Sequence, residues 1–323
     1  MKIEIITTPN ENLKETGFGT IEACEAILET LQKRFGNVKL NICENESDLT
    51  LVTMRQPDLV ILAVKYIQLE NEEKLWLSNF FEKSNLNFTG SIREVLNFDS
   101  NKIEAKKQIE SEGIKTAAYF LVTPETYQLE ADIPIDFPIF LKPMNAANGN
   151  GIDEDSLVYN FLDYKKKTES IFLKYNKIVL AEKYLSGREF TVAIIQNQNN
   201  ELIVSPIEII PPKNKNGVRI LGSEVKTGDT EELREIVDIN IKNKLNNIAM
   251  DTFNFLGARD YGRIDIKMDE YGECYFLEIN LVPGMKKGSS YFPKAFEIGK
   301  KWGYEKVIDL IVNNALQRTL VSN

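Results

Sequence analysis

The chain has 323 residues, 43% apolar and 27% charged, a composition ordinary for a globular protein with a large core and about two or three domains. A net charge of −9 excludes a broad basic nucleic-acid surface and leaves room for a local basic pocket that holds phosphates. No histidine is present, which removes Ser-His-Asp and Cys-His catalysis, His-ligated zinc and the usual neutral-pH proton shuttle.

Cys24, Cys43 and Cys274 are few, odd in number and far apart, as expected of reduced thiols and of neither a disulfide framework nor a zinc site. The opening MKIEIITTP lacks the apolar core of a signal peptide, and no run approaches the length of a membrane span. A cytoplasmic protein that engages neither nucleic acid nor membrane is expected.

Met1 to Thr7 alternates as a strand, and Ile21 to Phe35 carries Ala23, Ala26, Ile27, Leu28 and Leu31 at helical spacing. Strand-like Lys39 to Cys43 and Leu59 to Val64 follow, then an amphipathic helix through Leu75, Leu77, Phe80 and Phe81. Alternating strands and helices predict a small parallel sheet, ending near Leu96. Asn10 to Gly19 lies where α/β sheets place ligand loops, with Glu15 a candidate substrate contact, but its glycines make no dinucleotide fingerprint.

Asn101 to Gly113 reads as a lysine-rich helix leading into a strand from Thr116 to Val122. The apolar strand Phe137 to Pro143 delivers Lys142 at its end, beside the small-residue loop Asn145 to Gly151, whose N–H groups can approach an anion. Two further strands, Ile178 to Tyr184 and Glu189 to Gln196, meet at the sharp Leu185-Ser186-Gly187 connection, a hinge where an adenine could meet backbone groups. Ile203 to Pro211 is another strand, Val218 to Asp229 an exposed loop containing Lys226, and Arg234 to Leu256 a long core-facing helix.

The stretch GRIDIKMDEYGECYFLEINLVPGM, from Gly262 to Met285, predicts a β-hairpin turning at Asp269 to Gly272. A four-residue loop would set Ile266 against Tyr275 and Ile264 against Leu277, sharing one apolar face. Arg263 would then face Glu278, with Asp265 its diagonal neighbour at about 7–8 Å or less, and Asn280 on the same side. Two carboxylates and an amide oxygen suit Mg²⁺, whose remaining ligands point to a nucleotide. The competing reading, a surface ladder of opposite charges, explains neither Asn280 nor the Pro283-Gly284 turn after it. Pro293 to Leu316 supplies closing helices.

Lys142-Pro143, AEKYLSGREFTVAI from Ala181, GRIDIKM from Gly262 and FLEINLVPGM from Phe276 occur in the order and rough spacing of D-alanine–D-alanine ligases of the ATP-grasp superfamily. The chain resembles them from about Phe88 onward and more weakly before. The resemblance implies an α/β, three-domain ATP-grasp fold with domains at 1–96, 97–185 and 186–323, two β-rich layers enclosing the nucleotide. It implies that Lys102 and Lys142 hold the α- and β-phosphates of ATP, that Glu182 with the backbone of Lys183 and Leu185 reads the adenine, and that Glu189 takes the ribose. Lys226 would reach the γ-phosphate, and Asp265, Glu278 and Asn280 would bind two Mg²⁺ ions, with Mn²⁺ as an alternative. Arg263 and the Gly284 N–H would stabilise a tetrahedral oxyanion, and Ser289 or Ser290 would hold a substrate carboxylate. Amino acids are the implied substrates, and a homodimer is compatible with the resemblance.

The departures fall on the phosphate loop, which has small residues but no serine, on Thr227 where a tyrosine is usual, and on Val64 to Glu70, where the family carries His-Gly. Lys65 and Tyr66 would bring a longer cation and an aromatic ring there, so D-alanine is not the expected first substrate. The expectation is a carboxylate–amine ligase acting through an acylphosphate. The alternatives are a nucleotide-binding protein without turnover, acyl phosphorylation without amine transfer, or a true D-alanine–D-alanine ligase with an unusual loop.

Overall fold

A computed structural model of the chain describes residues 1–9, 17–70, 73–144, 149–176 and 178–321. Glu15 and the Asn145–Asn148 part of the phosphate loop lie outside the described residues.

The predicted parallel sheet is present. Strands β1 (Lys2–Thr7), β2 (Asn37–Ile42) and β3 (Leu59–Leu62) are ordered β2-β1-β3, all parallel, with helices α1 (Ile21–Gln32) and α2 (Glu46–Met54) between them. Thr20 caps α1, and Asn45 with Asp48 forms a reciprocal capping box on α2, satisfying N–H groups that a helix start leaves bare. Cys24 is packing, as read. After β3 comes a short hairpin, β4 (Tyr66–Gln68) and β5 (Lys74–Trp76), then helices α3 (Leu77–Lys83), α4 (Arg93–Ser100) and α5 (Lys102–Ser111). Leu75 therefore belongs to a strand and not to the predicted helix: it pairs with Ile67, and beside it the Tyr66 and Trp76 rings meet in a tilted contact at 5.1 Å.

A four-stranded antiparallel sheet follows, in the order β6 (Tyr119–Val122), β9 (Val179–Lys183), β7 (Ile139–Pro143), β8 (Leu157–Val158), with helix α6 (Phe161–Tyr175) packed on it. The strand predicted from Thr116 starts later, since Thr116 instead bridges to Phe276 in a different sheet.

The largest sheet has five strands in the order β12-β11-β10-β13-β14, from β10 (Glu189–Gln196), β11 (Leu202–Ile210), β12 (Glu232–Glu235), β13 (Tyr261–Met268) and β14 (Cys274–Asn280). Helices α7 (Ser223–Gly228), α8 (Ile239–Phe255), α9 (Tyr291–Lys300) and α10 (Tyr304–Val321) complete the chain. Two expectations change here. Lys226 sits on the short helix α7 rather than in a loop, and Arg234 lies on edge strand β12, with α8 starting only after its cap Asp238.

Alternation fixes what each face of this sheet does. Phe190, Val192 and Ile194 on β10, with Ile264 and Ile266 on β13, pack on Leu245, Ala249 and Phe253 of α8. Full burial of each such side chain is worth about 1.5–3 kcal/mol. Ala193 and Ile195 point the other way, joining Phe292 and Phe296 of α9 in a core shared with β1 and α1.

The β13–β14 hairpin forms, but its register differs from the prediction. Its loop has one residue more, pairing Met268 with Cys274, and a bulge between Asp265 and Ile266 adds a further shift. Ile266 faces Phe276, Asp265 faces Glu278, and Arg263 faces Asn280 rather than Glu278. A bulge lets Phe276 and Ile279, three apart, both turn to the core, and leaves Leu277 to the other side.

The four-stranded sheet is joined to this same hairpin twice. On entry, the Phe276 N–H donates to the Lys115 carbonyl at 2.9 Å; on exit, the Gly187 N–H donates to the Met268 carbonyl at 3.0 Å. A Cβ on Gly187 would lie 2.5 Å from the Asp269 carbonyl oxygen, so the close approach requires glycine. Away from the hairpin, the Ser223 N–H meets the Ile152 carbonyl at 3.3 Å.

Candidate active site

The second face of the large sheet carries polar rows. Glu189 faces Lys267; Thr191 faces Asp265, which faces Glu278; Ala193 faces Arg263, which faces Asn280. Asp265 is 7% exposed and fully engaged. The Thr191 hydroxyl donates to its Oδ1 at 2.7 Å, Arg263 donates to both oxygens at 3.1 and 3.0 Å, and the Asn280 amide donates at 3.2 Å. Lys102 reaches across from α5 to Glu278 at 2.7 Å, and Lys267 pairs with Glu189 at 2.8 Å.

Opposite this face, β9 supplies Glu182 and β7 supplies Lys142. Glu182 is gripped by Lys142 at 2.5 Å and by Lys106, a fully buried residue of α5, at 2.8 Å. Burial pushes the Glu182 carboxyl upward, but the two ammonium groups outweigh it and hold it at about 2. Lys106 is held below its ordinary value, by burial first, with the like charge of Lys142 adding to it. Glu278 shows the same contest: burial raises it, and Lys102, Lys226 and Lys142 together depress it well below the carboxylate range. Positive charge therefore exceeds negative around these carboxylates, which suits a polyphosphate.

The residues predicted to hold the nucleotide, Lys102, Lys142, Glu182, Lys183, Leu185, Glu189 and Lys226, all line one cleft, together with Asp265 and Glu278. Phe140, Ile152 and Tyr184 give it apolar walls. The Lys183 N–H is already committed to the Ala118 carbonyl at 2.8 Å, whereas the Leu185 N–H has no partner among the described residues.

Past Asn280 the chain turns through Leu281 to Met285. Arg263 lies over the Tyr291 ring at 5.5 Å, and the Tyr291 hydroxyl donates to Glu231. Of the two serines, Ser290 is the one beside Gly284: its Oγ accepts the Lys286 N–H at 2.9 Å, and a Cβ on Gly284 would sit 2.9 Å from it. Lys65 does not extend a free cation into a substrate pocket, because Asp99 and Ser100 hold its ammonium at 2.8 and 3.2 Å. Tyr66 is covered by Lys74 at 4.5 Å.

Lys106, Asp99, Thr191 and Tyr291 were not among the predicted site residues. Lys106 did carry a signal, since it lies four residues after Lys102 on one helix face. Among the described residues no group of three or more His, Cys, Asp or Glu could hold a metal ion. The oxygen set of Asp265, Glu278 and Asn280 fits Mg²⁺, which takes one or two carboxylates and completes its shell with water and phosphate oxygens. Arg263 and Lys102 neutralise the two carboxylates in this structure.

Comparison with known proteins gives the family. The D-ala D-ala ligase C-terminus family matches residues 109–313. D-alanine–D-alanine ligase B of Clostridium perfringens is 30% identical over 236 residues, covering 72% of either chain. The chain belongs to the D-alanine–D-alanine ligase family. Members of this family are ATP-dependent ligases that form a carbon–nitrogen bond. Over its whole length the fold superposes on the D-alanine–D-alanine ligase of Bacillus anthracis, solved with ATP, with a TM-score of 0.74, 20% identity and 99% of that chain covered. VanG D-Ala:D-Ser ligase of Enterococcus faecalis gives a TM-score of 0.72 at 18% identity, over 97% of this chain and 99% of the other. No helix among the described residues is long and apolar enough to cross a membrane.

Proposed function

We propose that this ligase joins the carboxylate of one amino acid to the amine of a second at the expense of ATP, and that D-alanine is not its preferred first substrate. The observation that carries the reading is the union, in one cleft, of Lys102, Lys142 and Lys226 with Asp265 and Glu278, bordered by Arg263. A carboxylate is a poor acyl donor because oxide is a poor leaving group. In the first step a carboxylate oxygen attacks the γ-phosphorus, the bond to the β,γ-bridging oxygen breaks, and ADP leaves. In the second, the amine attacks the acyl carbon, the carbon–oxygen bond to phosphate breaks, and the amide forms with loss of the ammonium proton to solvent.

The chain's own groups divide between these steps. Lys102, Lys142 and Lys226 neutralise phosphate charge, Glu182 and the Leu185 N–H face the base, and Glu189 faces the ribose. Mg²⁺, as two ions with Mn²⁺ as an alternative, would be held by Asp265, Glu278 and Asn280 and would supply further charge neutralisation for phosphoryl transfer. Arg263 and the Gly284 N–H serve the oxyanion of the second step, where loss of one preorganised donor costs about 10²–10³ in rate. Ser290, beside Gly284, is the serine that holds the carboxylate of the second substrate.

Substrate identity follows from the departures. In place of His-Gly stand Lys65, engaged by Asp99, and Tyr66, packed on Trp76, so neither offers an imidazole-like donor to the first amino acid. The D-Ala:D-Ser name of one structural neighbour supports latitude in the second substrate. Three units meeting near residues 96 and 185, a homodimer and a cytoplasmic location belong to the same reading; light scattering tests the dimer. For the substrates the test is ADP release and product mass with D- and L-amino acids competing against D-alanine at equal concentration. D-alanyl-D-alanine as the dominant product would overturn the substrate reading.

A further inference from the structure

We infer that Lys65 and Asp99 are positioning residues that aim the Gly284 N–H at the reacting acyl group, an inference that rests on the oxyanion role of Gly284 given above. Lys65 stands just past the end of β3, 6% exposed, and its ammonium donates to Asp99 Oδ1 at 2.8 Å. The second oxygen of Asp99 accepts two backbone N–H groups, Leu281 at 2.6 Å and Val282 at 3.3 Å. Hydrogen bonds to an ionised acceptor are shorter and roughly twice as strong as neutral ones.

The rest of the segment is fixed from its other end. Pro283 has no N–H, the Met285 N–H donates to the Phe18 carbonyl at 2.8 Å, and the Met285 carbonyl accepts the Tyr304 hydroxyl at 2.9 Å. Phe18 is itself tied to the Ala63 carbonyl at 2.8 Å, two residues before Lys65. Among the described residues the Gly284 N–H is thus the one amide from Leu281 to Met285 that is left unpaired, while the amides around it are anchored.

Such an arrangement needs a cation at position 65. Asp99 is partly buried, and a carboxylate so placed and stripped of its counter-ion is strongly destabilising. Lys65 occupies one oxygen and leaves the other for Leu281 and Val282. Three residues after Asp99, Lys102 holds Glu278, so one short segment grips both the phosphate side and the acyl side of β14's end.

The test uses Lys65→Met, Lys65→Arg and Asp99→Asn in the full chain. It reads amide hydrogen exchange at Leu281 and Val282, and steady-state kinetics with the amino-acid pair that releases ADP fastest in the screen above. In Lys65→Met and Asp99→Asn both amides are expected to exchange about tenfold faster or more, with β13 unchanged. The kcat is expected to fall about tenfold to a hundredfold while KM for ATP and for both amino acids stays within about threefold. Lys65→Arg restores both readouts. Unchanged exchange, or a raised KM for the first amino acid with kcat retained, overturns the inference and makes Lys65 a substrate contact. Should Lys65→Met not fold, Asp99→Asn and Lys65→Arg carry the same comparison. Arg263→Met separates the two levels: if it still forms amide, the oxyanion reading fails, whatever the exchange at Leu281 reports.

Discussion

Replacing Lys106 with methionine removes a charge from the core of the cleft while keeping most of the side chain's length. Lys106 has no exposed surface, lies 2.8 Å from Glu182 and also donates to the Thr116 hydroxyl. Removing one partner of a buried ion pair costs about 3–5 kcal/mol when the other is left bare. Here Glu182 keeps Lys142 at 2.5 Å, and Lys106 is itself disfavoured by burial and by Lys142, so the net loss is smaller, about 1–2 kcal/mol. At about 2–4 °C per kcal/mol, the scale for chains of roughly 150–250 residues, Tm falls by about 2–8 °C. A second consequence is sharper. With Lys106 gone, Lys142 is the ammonium left in contact with Glu182 among the described residues, and a phosphate that recruits it must strip a buried carboxylate. ATP affinity is expected to drop about tenfold, or about 1.4 kcal/mol. Thermal unfolding with and without saturating Mg·ATP, and titration calorimetry with ATP, read the two effects. A Tm within a degree of the parent and an unchanged Kd for ATP would refute the idea that Glu182 is shared between the two lysines.

Glu278→Gln should lower turnover by about 10²-fold or more in a chain that still folds, with a lower Tm because Lys102 loses the carboxylate it holds at 2.7 Å; undiminished turnover removes Glu278 from the metal set. Arg263→Met should still bind ATP, measured by calorimetry, yet fail to form amide, since the arginine serves charge that develops on the acyl group. If ATP binding collapses while turnover at saturating nucleotide survives, Arg263 is a nucleotide contact. Acid should reveal Glu182. Its folded pKa of about 2 lies below the ordinary 4.5, so its stabilisation is complete above pH 4.5 and is lost as pH falls through about 2. Tm measured over that window should fall less steeply in Glu182→Gln than in the parent chain, and equal slopes would contradict the pairing.

Period-two alternation made the strands and the polar face of the hairpin legible, because a half-buried strand must keep its apolar residues on one side. Register was not legible. The longer loop and the bulge at Leu277 have no compositional mark; together they moved Arg263 from Glu278 to Asn280 and exchanged Phe276 and Leu277 between the faces, yet kept Arg263, Asp265, Glu278 and Asn280 on one side. Strand β12 was hidden for a related reason: Arg234 and Glu235 read as the charged start of the helix to Leu256, and only pairing with β11 makes Glu232–Glu235 an edge strand. Lys102 and Lys106, four apart on α5, could be seen as one basic face. Asp99 could not, since the amide it holds, Leu281, lies 182 residues away in sequence.

The two bonds that join the four-stranded sheet to the β13–β14 hairpin act as a pair of hinge pins. A body pinned at two points retains one rotation, about the line through them. Tyr184 and Leu185 sit close to that line, beside the pin at Gly187, so the wall against which a base would rest barely moves as the sheet swings. Gly149 to Ile152 lies at the far rim, where among the described residues the links are the 3.3 Å bond from the Ser223 N–H to the Ile152 carbonyl and the exposed Lys215–Glu154 pair at 3.7 Å. Both links are weak, so a swing about the pins would uncover the lysine-lined end of the cleft and leave the end beside Tyr184 assembled.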